Sequence, residues 1–276
     1  MCGIAGEIRF DSQIADSGAV AHMAEKLAPR GPDGAGVYAQ GRFALAHRRL
    51  KIIDLSDHAA QPMVDAQLGL SIVFNGCIYN YPELREELTG LGYSFFSHGD
   101  TEVILKAYHA WGPQCVERFH GMFAFVVVER DSGIVTMARD RFGIKPLYYS
   151  QSAKRLRFAS TLPAILAGGD VDTSIDRDAL HNYMSFHAVV PPPRTLLNGI
   201  RKLPPATVRR YETDGSFKDW RYWNPPHERR AEDAGLSRED WRDRVLEALK
   251  LAVKRRMVAD VPVGVLLSGG VDSSVI

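Results

Sequence analysis

The sequence predicts an α+β fold in which β-sheets are covered by helices. Short apolar segments with strand character are interleaved with segments of helical periodicity along the first 210 residues. Asp131-Ser132-Gly133 separates two apolar strands and is typical of a hairpin turn. The chain has 276 residues, of which 45% are hydrophobic, enough to bury a substantial core. We therefore expect either an α+β domain or a sandwich with helical outer layers.

The individual elements are predicted from periodicity and from the residues that bound each segment. Strands are predicted at residues 3–10, 43–47, 51–54, 69–74, 122–128, 134–138, 156–159 and 208–211. A helix at 18–28 stops before Pro29, and Pro82 opens a short second helix. Asp100 or Thr101 can cap a third helix, which Gly112 closes.

The chain after residue 210 predicts a linker and the start of a second domain. Residues 1–210 are assigned to the first domain, and residues 211–236, which hold two prolines and a charge run, to the linker. Residues 237–240 have the pattern of a capping box that opens a helix. The β-branched run 261–267 is suited to a buried parallel strand. Residues 237–276 would then begin the second domain.

Composition excludes several classes of protein. Lys plus Arg number 34 and Asp plus Glu 33, so there is no basic excess for a nucleic-acid partner. No apolar run approaches the ~18 residues of a membrane span, and the charged N-terminus does not resemble a signal peptide. The three cysteines have neither disulfide-framework nor zinc-site spacing. We expect a cytoplasmic protein without a metal site of its own.

Cys2 is the first candidate for chemistry. A small residue after Met1 favours removal of the initiator methionine, which would leave Cys2 with a free α-amino group. Such an amine has a pKa of about 7.7–8.0 and can act as the base for the thiol of the same residue. This is the arrangement of an N-terminal nucleophile hydrolase. The alternative is a plain small residue at a start site.

Three further positions have candidate binding groups, each with a structural alternative. Asn75-Gly76 could form an oxyanion hole or a turn. Arg49 could hold a carboxylate in bidentate fashion or belong to a solvated basic cluster. Asp100 could bind an ammonium group or cap the helix that follows. Taken singly, the turn, the solvated cluster and the cap are favoured.

The most specific motif is Ser-Gly-Gly-Val-Asp-Ser at 268–273, directly after an apolar run. Its glycines let backbone N–H groups turn inward and its hydroxyls add donors, which suits a phosphate. The motif resembles the pyrophosphate-binding loop of ATP pyrophosphatases, not a Walker A loop. Mg²⁺ is implied by the nucleotide, since no ligand set is visible. The alternative is a Gly/Ser turn after a strand.

Seven motifs occur together in one order, and as a set they are more specific than any one. They are CGIAG (2–6), RGPD (30–33), HRRL (47–50), NGCIYN (75–80), GDTE (99–102), GMFAF (121–125) and RDRFGIKPLY (139–148). The sequence resembles the glutamine-hydrolysing asparagine synthetase family over essentially all of its length. The resemblance implies a class II glutaminase domain of the N-terminal-nucleophile αββα sandwich type. The truncated start of an α/β ATP-pyrophosphatase synthetase domain would follow it.

The resemblance also implies a role for each matching residue. Cys2 would form a γ-glutamyl thioester and release ammonia, with Asn75 and the Gly76 N–H as the oxyanion hole. Arg49 would bind the α-carboxylate of glutamine and Asp100 its α-ammonium. The ammonia would pass through an internal tunnel to a carboxyl adenylate. The ATP site would include Leu267, Ser268, Gly269, Gly270, Asp272 and Ser273.

Cys77 departs from the family pattern. Asparagine synthetases usually have Glu at this position, where it helps hold the α-ammonium group. The variant Asn-Gly-Cys-Ile-Tyr-Asn resembles the N-acetylglutaminylglutamine amidotransferases, which amidate a dipeptide to make an osmoprotectant. The favoured alternative is a small buried residue with no catalytic part.

These observations predict a glutamine-dependent amidotransferase that amidates an ATP-activated carboxylate, either aspartate or N-acetylglutaminylglutamine. ATP and Mg²⁺ would serve that synthesis, and glutamine hydrolysis would need no cofactor. A second hypothesis, motivated by Cys77, is a non-catalytic glutaminase-like domain that binds glutamine or scaffolds a partner. A third, a stand-alone amide hydrolase, is disfavoured by the loop at 268–274. We expect this chain to be part of a longer protein, able to hydrolyse glutamine alone; a homodimer stays open.

Overall fold

A computed structural model describes residues 1–228 and 231–276 of the chain. They form two compact units, Met1–Trp223 and Asn224–Ile276. Among the described residues, no helix combines the length and apolar character needed to cross a membrane.

The strands of the first unit make two antiparallel six-stranded sheets. In chain order they are β1 (Gly3–Arg9), β2 (Gly34–Gln40), β3 (Phe43–Arg49), β4 (Met63–Asp65), β5 (Leu70–Ile78), β6 (Gly121–Glu129), β7 (Val135–Arg139), β8 (Tyr148–Gln151), β9 (Arg155–Ala159), β10 (Arg201–Lys202), β11 (Thr207–Tyr211) and β12 (Phe217–Arg221). The first sheet has the order β10-β8-β9-β1-β3-β2, and the second has the order β12-β11-β7-β6-β5-β4.

The helices of the first unit are α1 (Ser17–Glu25), α2 (Tyr81–Gly90), α3 (Asp100–Trp111), α4 (Leu162–Ala167) and α5 (Arg177–Ser185). Helix α1 packs Val20 and Met23 on the outer face of the first sheet, next to Ile165 of α4. Helices α2 and α3 cover the outer face of the second sheet with apolar side chains such as Leu88 and Ile104. Each helix thus buries one apolar stripe.

A third apolar cluster fills the space between the two sheets. Ile4 and Leu45 of the first sheet meet Val73, Val126 and Met137 of the second. Because successive strand residues point to opposite faces, the outer faces of the same strands contact the helices. The layer order is therefore helix, sheet, sheet, helix, which confirms the predicted αββα sandwich.

Most predicted strands and all the predicted helices are present, and the structure differs from the prediction in local details. Strand β2 was missed, since its glycine-rich start resembles a turn. Residues 51–54 form a loop because Asp54 has φ +50°, which a strand does not allow, and its carboxylate accepts from the N–H groups of Ser56 and His98. Asn75-Gly76 is not a turn, because β5 continues through it to Ile78, paired with β6.

The second unit contains α6 (Arg238–Arg256) and α7 (Val271–Val275). The capping box that opens α6 is confirmed, with Ser237 and Asp240 exchanging hydrogen bonds. Residues 261–267 do not form the predicted strand. A parallel strand needs a neighbour to pair with, and the described part of this unit contains no other strand.

The first unit extends beyond the residue 210 at which the sequence placed its end. Strand β12 pairs with β11 in full register from Thr207↔Arg221 to Tyr211↔Phe217. The pairing holds the chain to Trp223 within the first unit. The first part of the predicted linker is therefore an edge strand in this structure.

Candidate active site

Strand register brings the candidate residues to one end of the space between the sheets. In β1, Ile4 faces the second sheet, and Cys2 precedes it by two residues. In β3, Leu45 has the same orientation, so Arg49 shares it. In β5, Val73 faces the first sheet, so Asn75 and Cys77 do as well. Alternation along three strands therefore points these side chains at each other.

A cavity of about 240 Å³ lies where these residues meet. All five residues predicted to act on glutamine line it, together with residues that the sequence did not single out. The predicted ones are Cys2, Arg49, Asn75, Gly76 and Asp100, and the additional ones include Leu50, Gln61, Met122 and Lys145. The structure thus brings together groups from distant parts of the chain, from Cys2 to Lys145.

Cys2 is held at the cavity by the backbone of Leu50. Its Sγ accepts a hydrogen bond from the Leu50 N–H at 3.3 Å and lies 3.6 Å from the Leu50 carbonyl oxygen. The Arg30 Nε donates to the Cys2 carbonyl at 3.0 Å. Burial raises the pKa of the Cys2 thiol above its ordinary value, and the Leu50 N–H opposes this shift. At neutral pH the thiol is protonated, so nucleophilic attack requires a base.

One edge of β5 is open beside the cavity. Strand β4 pairs with β5 only from Leu70 to Ile72, and beyond Ile72 no strand of the described chain lies on that side. Side chains take its place: the Gln61 Oε1 accepts from the Phe74 N–H at 2.6 Å, the His47 Nε2 lies 3.1 Å from the Phe74 carbonyl oxygen, and the Asp100 Oδ2 accepts from the Ile78 N–H at 3.0 Å.

Gly76 lies between these contacts, with its N–H directed at the open edge. It is opposite Phe123 of β6, whose N–H and carbonyl bond instead to Asp140. Hydrogen-bonded and non-hydrogen-bonded pairs alternate in an antiparallel ladder, so Gly76–Phe123 is a pair of the second kind. The Gly76 N–H is therefore a donor facing the cavity. A side chain here would collide with the Met122 carbonyl oxygen, so only glycine fits.

Asn75 has a buried amide that nothing in the described structure satisfies. The residue is 1% exposed, and neither Oδ1 nor Nδ2 has a hydrogen-bond partner. A buried amide without partners costs about 1–3 kcal/mol. The Asn75 amide and the Gly76 N–H are thus two hydrogen-bond donors in the cavity wall that are available to a ligand oxygen.

Arg49 is buried, which excludes for this residue the alternative of a solvated basic cluster. Its guanidinium donates to the carbonyl oxygens of Ser56, at 2.7 Å, and of Asp54. These hydrogen bonds hold the loop after β3 in a conformation in which it lines the cavity. They use two of the five N–H groups of the guanidinium, which leaves donors for an anionic group in the cavity.

Asp100 is also not the predicted helix cap. Gly99 precedes α3 at that position, and the Asp100 carboxylate bonds to the Ile78 N–H instead. Burial raises the pKa of Asp100 to about 7, although the bonds from backbone N–H groups oppose the shift. A cationic group placed beside it would lower this pKa and stabilise the carboxylate.

Cys77 and Lys145 are two further titratable side chains that line the cavity. Cys77 is buried, and burial raises the pKa of its thiol, so it contributes no charge. The Lys145 Nζ donates to the Met1 Sδ at 3.1 Å, and burial lowers the pKa of this ammonium group. Lys145 belongs to the sequence motif RDRFGIKPLY, but the motif did not predict that its side chain lines the cavity. No local sequence pattern predicted that Gln61 would line it.

The loop of the second unit is held by its serine hydroxyls. The Ser268 Oγ lies 2.8 Å from the Ser273 Oγ, and the Ser274 Oγ donates to the Gly270 carbonyl at 2.8 Å. Gly269 has φ +77°, a conformation that favours glycine. Within residues 1–228 and 231–276, no group of three or more His, Cys, Asp or Glu side chains is arranged to hold a metal ion.

Comparison with known proteins gives a consistent result. The profile of the glutamine amidotransferase domain matches residues 1–223, and that of asparagine synthase matches residues 244–276. The glutamine-hydrolysing asparagine synthetases 3 and 1 of Bacillus subtilis (strain 168) are 35% and 36% identical to the whole chain, which covers 44% and 43% of their lengths. The chain thus spans about half the length of these curated relatives.

The fold agrees with a solved structure of glutamine phosphoribosylpyrophosphate amidotransferase from B. subtilis. The TM-score is 0.59 with 16% identity, and the match covers 80% of this chain and 49% of that one. At this identity the likeness concerns the fold alone, and it supports the sandwich described above. The chain therefore belongs to the glutamine amidotransferase domain family, and over its full length it is similar to glutamine-hydrolysing asparagine synthetases.

Proposed function

We propose that Cys2, once Met1 has been removed, hydrolyses glutamine to glutamate and ammonia. The single observation that carries the proposal is the unsatisfied, 1% exposed amide of Asn75 in the cavity that Cys2 also lines. A site that hydrolyses an amide needs a nucleophile and preorganised donors for the oxyanion. This cavity has both, with the Gly76 N–H as a second donor.

The reaction follows from these groups. The neutral α-amine of Cys2 takes the thiol proton, and the thiolate sulfur attacks the carboxamide carbon of glutamine. The C=O electrons move to the oxygen, where Asn75 and the Gly76 N–H stabilise the charge. The C–N bond then breaks, and the amine returns the proton to the leaving nitrogen, which departs as ammonia. Water hydrolyses the remaining thioester to glutamate and regenerates Cys2.

Two charged side chains of the cavity would orient the amino-acid part of glutamine. We assign its α-carboxylate to Arg49, because that guanidinium is fixed by the loop carbonyls and retains free donors. We assign its α-ammonium to Asp100, a buried carboxylate that gains most from a cationic partner. Binding of both α-substituents fixes the Cα of glutamine and aligns its side-chain amide with Cys2.

The second step of the proposal concerns a longer protein. The ammonia would travel through an internal tunnel and amidate an ATP-activated carboxylate, either aspartate or N-acetylglutaminylglutamine. The second acceptor is supported by the motif at 75–80, which has Cys77 and resembles that of the N-acetylglutaminylglutamine amidotransferases. We place the reaction in the cytoplasm, in keeping with three free cysteines.

The loop at 268–273 fits a phosphate group. The Cβ position of Gly269 has no atom within 4 Å, so space is open there. The hydroxyls of Ser268 and Ser273, which lie 2.8 Å apart, belong to the same loop. We propose that Leu267, Ser268, Gly269, Gly270, Asp272 and Ser273 contribute to an ATP site. ATP would activate the acceptor carboxylate. Mg²⁺ would be bound mainly through the nucleotide phosphates, as is usual for this ion.

Replacement of the nucleophile tests the proposal. Cys2→Ala should abolish release of glutamate from glutamine, whereas Cys77→Ala, which alters the other cavity thiol, should retain turnover. Intact mass spectrometry should show that Met1 is absent from the active protein. Unchanged turnover in Cys2→Ala, or full activity with Met1 retained, would overturn the role of Cys2. Glutamine binding without turnover in the parent protein would favour the second candidate function, a non-catalytic glutamine-binding domain.

A further inference from the structure

His47 connects the two sheets next to the predicted oxyanion hole. It is opposite Ile4 in the pairing of β3 with β1, and its ring crosses the space between the sheets. Its Nε2 lies 3.1 Å from the carbonyl oxygen of Phe74 in β5. The residue is 1% exposed, so this contact is shielded from water.

The contact defines the state of the ring. A carbonyl oxygen only accepts, so the Nε2 carries the hydrogen and donates it. The Nδ1 is buried and has no partner among the described residues, so a proton there would be unsatisfied and charged. Burial lowers the pKa of His47 to about 4, in agreement with this geometry. The imidazole is therefore a neutral donor near pH 7.

The Phe74 carbonyl belongs to the same peptide group as the Asn75 N–H. Because Phe74 and Gly76 form non-hydrogen-bonded pairs with β6, Asn75 and Ala124 form a hydrogen-bonded pair between them. The peptide is thus held by β6 on one side and by His47 on the other. Without His47, its carbonyl would face the open edge of β5, where no strand could hold it.

We propose that His47 is a positioning residue for the oxyanion hole. It ties the peptide that precedes Asn75 to β3, the neighbour of the strand that begins just after Cys2. One hydrogen bond thereby sets the distance between the nucleophile on the first sheet and the amide on the second. This inference rests on the proposed function of Cys2 and Asn75.

If His47 positions the oxyanion hole, its replacement should lower kcat and leave KM nearly unchanged. The oxyanion exists only during the reaction, so misplacement of Asn75 lowers kcat. Glutamine binding depends on Arg49 and Asp100, whose own hydrogen bonds do not involve His47, so KM changes little. A loss of packing alone would instead lower the melting temperature and the amount of active protein, without separating kcat from KM.

The decisive experiment compares three variants of the full chain. His47→Gln places an amide donor where the Nε2 lies, and His47→Asn has the same amide on a stem too short to reach Phe74. His47→Met has similar length and no donor. We expect kcat for glutamate release to fall about 10- to 100-fold in the Asn and Met variants. In the Gln variant it should stay within about threefold of the parent, with KM nearly constant in all three.

The outcomes separate the inference from the function it depends on. Equal kcat in the Gln and Asn variants, matched by equal melting temperatures, would overturn the role of His47, as would a loss expressed in KM alone. Cys2→Ala and Asn75→Ala are assayed in parallel. If these two retain full turnover, the proposed function fails; if they lose it while His47→Asn does not, only the His47 inference fails.

Discussion

The carboxylate of Asp100 accepts a hydrogen bond from the backbone N–H of Ile78 and thereby joins the first turn of α3 to the end of β5. One side chain thus closes the open edge of a strand and supplies the carboxylate of the cavity. Its two roles can be separated by substitution.

Asp100→Asn keeps an oxygen for the Ile78 N–H and removes the charge. We expect KM for glutamine to rise about tenfold or more, because a charge-assisted bond to the α-ammonium is lost. The melting temperature at pH 5.5, where the parent carboxyl is largely protonated, should stay close to the parent value. Asp100→Ala also removes the acceptor and should cost about 1–3 kcal/mol of unfolding free energy. Steady-state kinetics and urea unfolding check both. A normal KM in the Asn variant would remove Asp100 from the binding site.

The pKa of Asp100, raised to about 7 by burial, makes glutamine binding depend on pH. If only the ionised carboxylate binds the ammonium group, affinity falls about tenfold per pH unit below 7. Calorimetric titration of Cys2→Ala with glutamine between pH 5.5 and 8 measures this without turnover. The slope should disappear in the Cys2→Ala, Asp100→Asn double variant, and a slope that persists there belongs to another group.

The raised pKa of Asp100 also makes the free energy of unfolding depend on pH when no glutamine is bound. The folded pKa lies above the unfolded value of about 3.9, so the folded state binds more protons between about pH 4 and 7. The contribution of Asp100 is therefore fully present below about pH 4 and is lost as the pH rises through 7. Urea unfolding should show a smaller decline from pH 5.5 to 7.5 in Asp100→Asn than in the parent. An equal decline in both would contradict this assignment.

Gly76→Ala tests the close approach of β5 to β6. The new methyl group would collide with the Met122 carbonyl oxygen, so we expect a loss of about 1–3 kcal/mol in unfolding free energy, with reduced turnover. Gly90→Ala is the matched control. It lies at the end of α2 with no atom near its Cβ position, and should be neutral or slightly stabilising. Similar unfolding curves for both variants would refute the predicted crowding.

Arg49→Lys keeps the positive charge but loses the planar fork. The lysine cannot bond the carbonyls of Asp54 and Ser56 and a carboxylate together. We expect KM for glutamine to rise about tenfold or more, since a bidentate contact is lost. Arg48→Lys is the control, because the Arg48 Nε bonds to the Ala24 carbonyl on the other face of the sheet. Parallel effects of the two substitutions would exclude a specific role for Arg49.

Local sequence patterns predicted most of the strands and helices but left open whether they form an α+β domain or a sandwich, and the αββα order came from the resemblance that the seven motifs carry. They did not predict the state of the site residues, since that depends on distant contacts. Asn75-Gly76 has turn composition, yet pairing with β6 extends it. The burial of Arg49 depends on carbonyls of the following loop, and the position of Asp100 depends on the N–H of Ile78. Only the joint order of motifs, not any single pattern, indicated that these groups meet.

The strand edge beside the cavity also bears on association between molecules. An uncovered edge is a template on which another chain can add a strand. Here Gln61, His47 and Asp100 occupy its hydrogen-bonding groups. The side chains around the reaction centre therefore also prevent another chain from adding a strand to β5. Variants that remove them expose an edge at which edge-to-edge aggregation can begin.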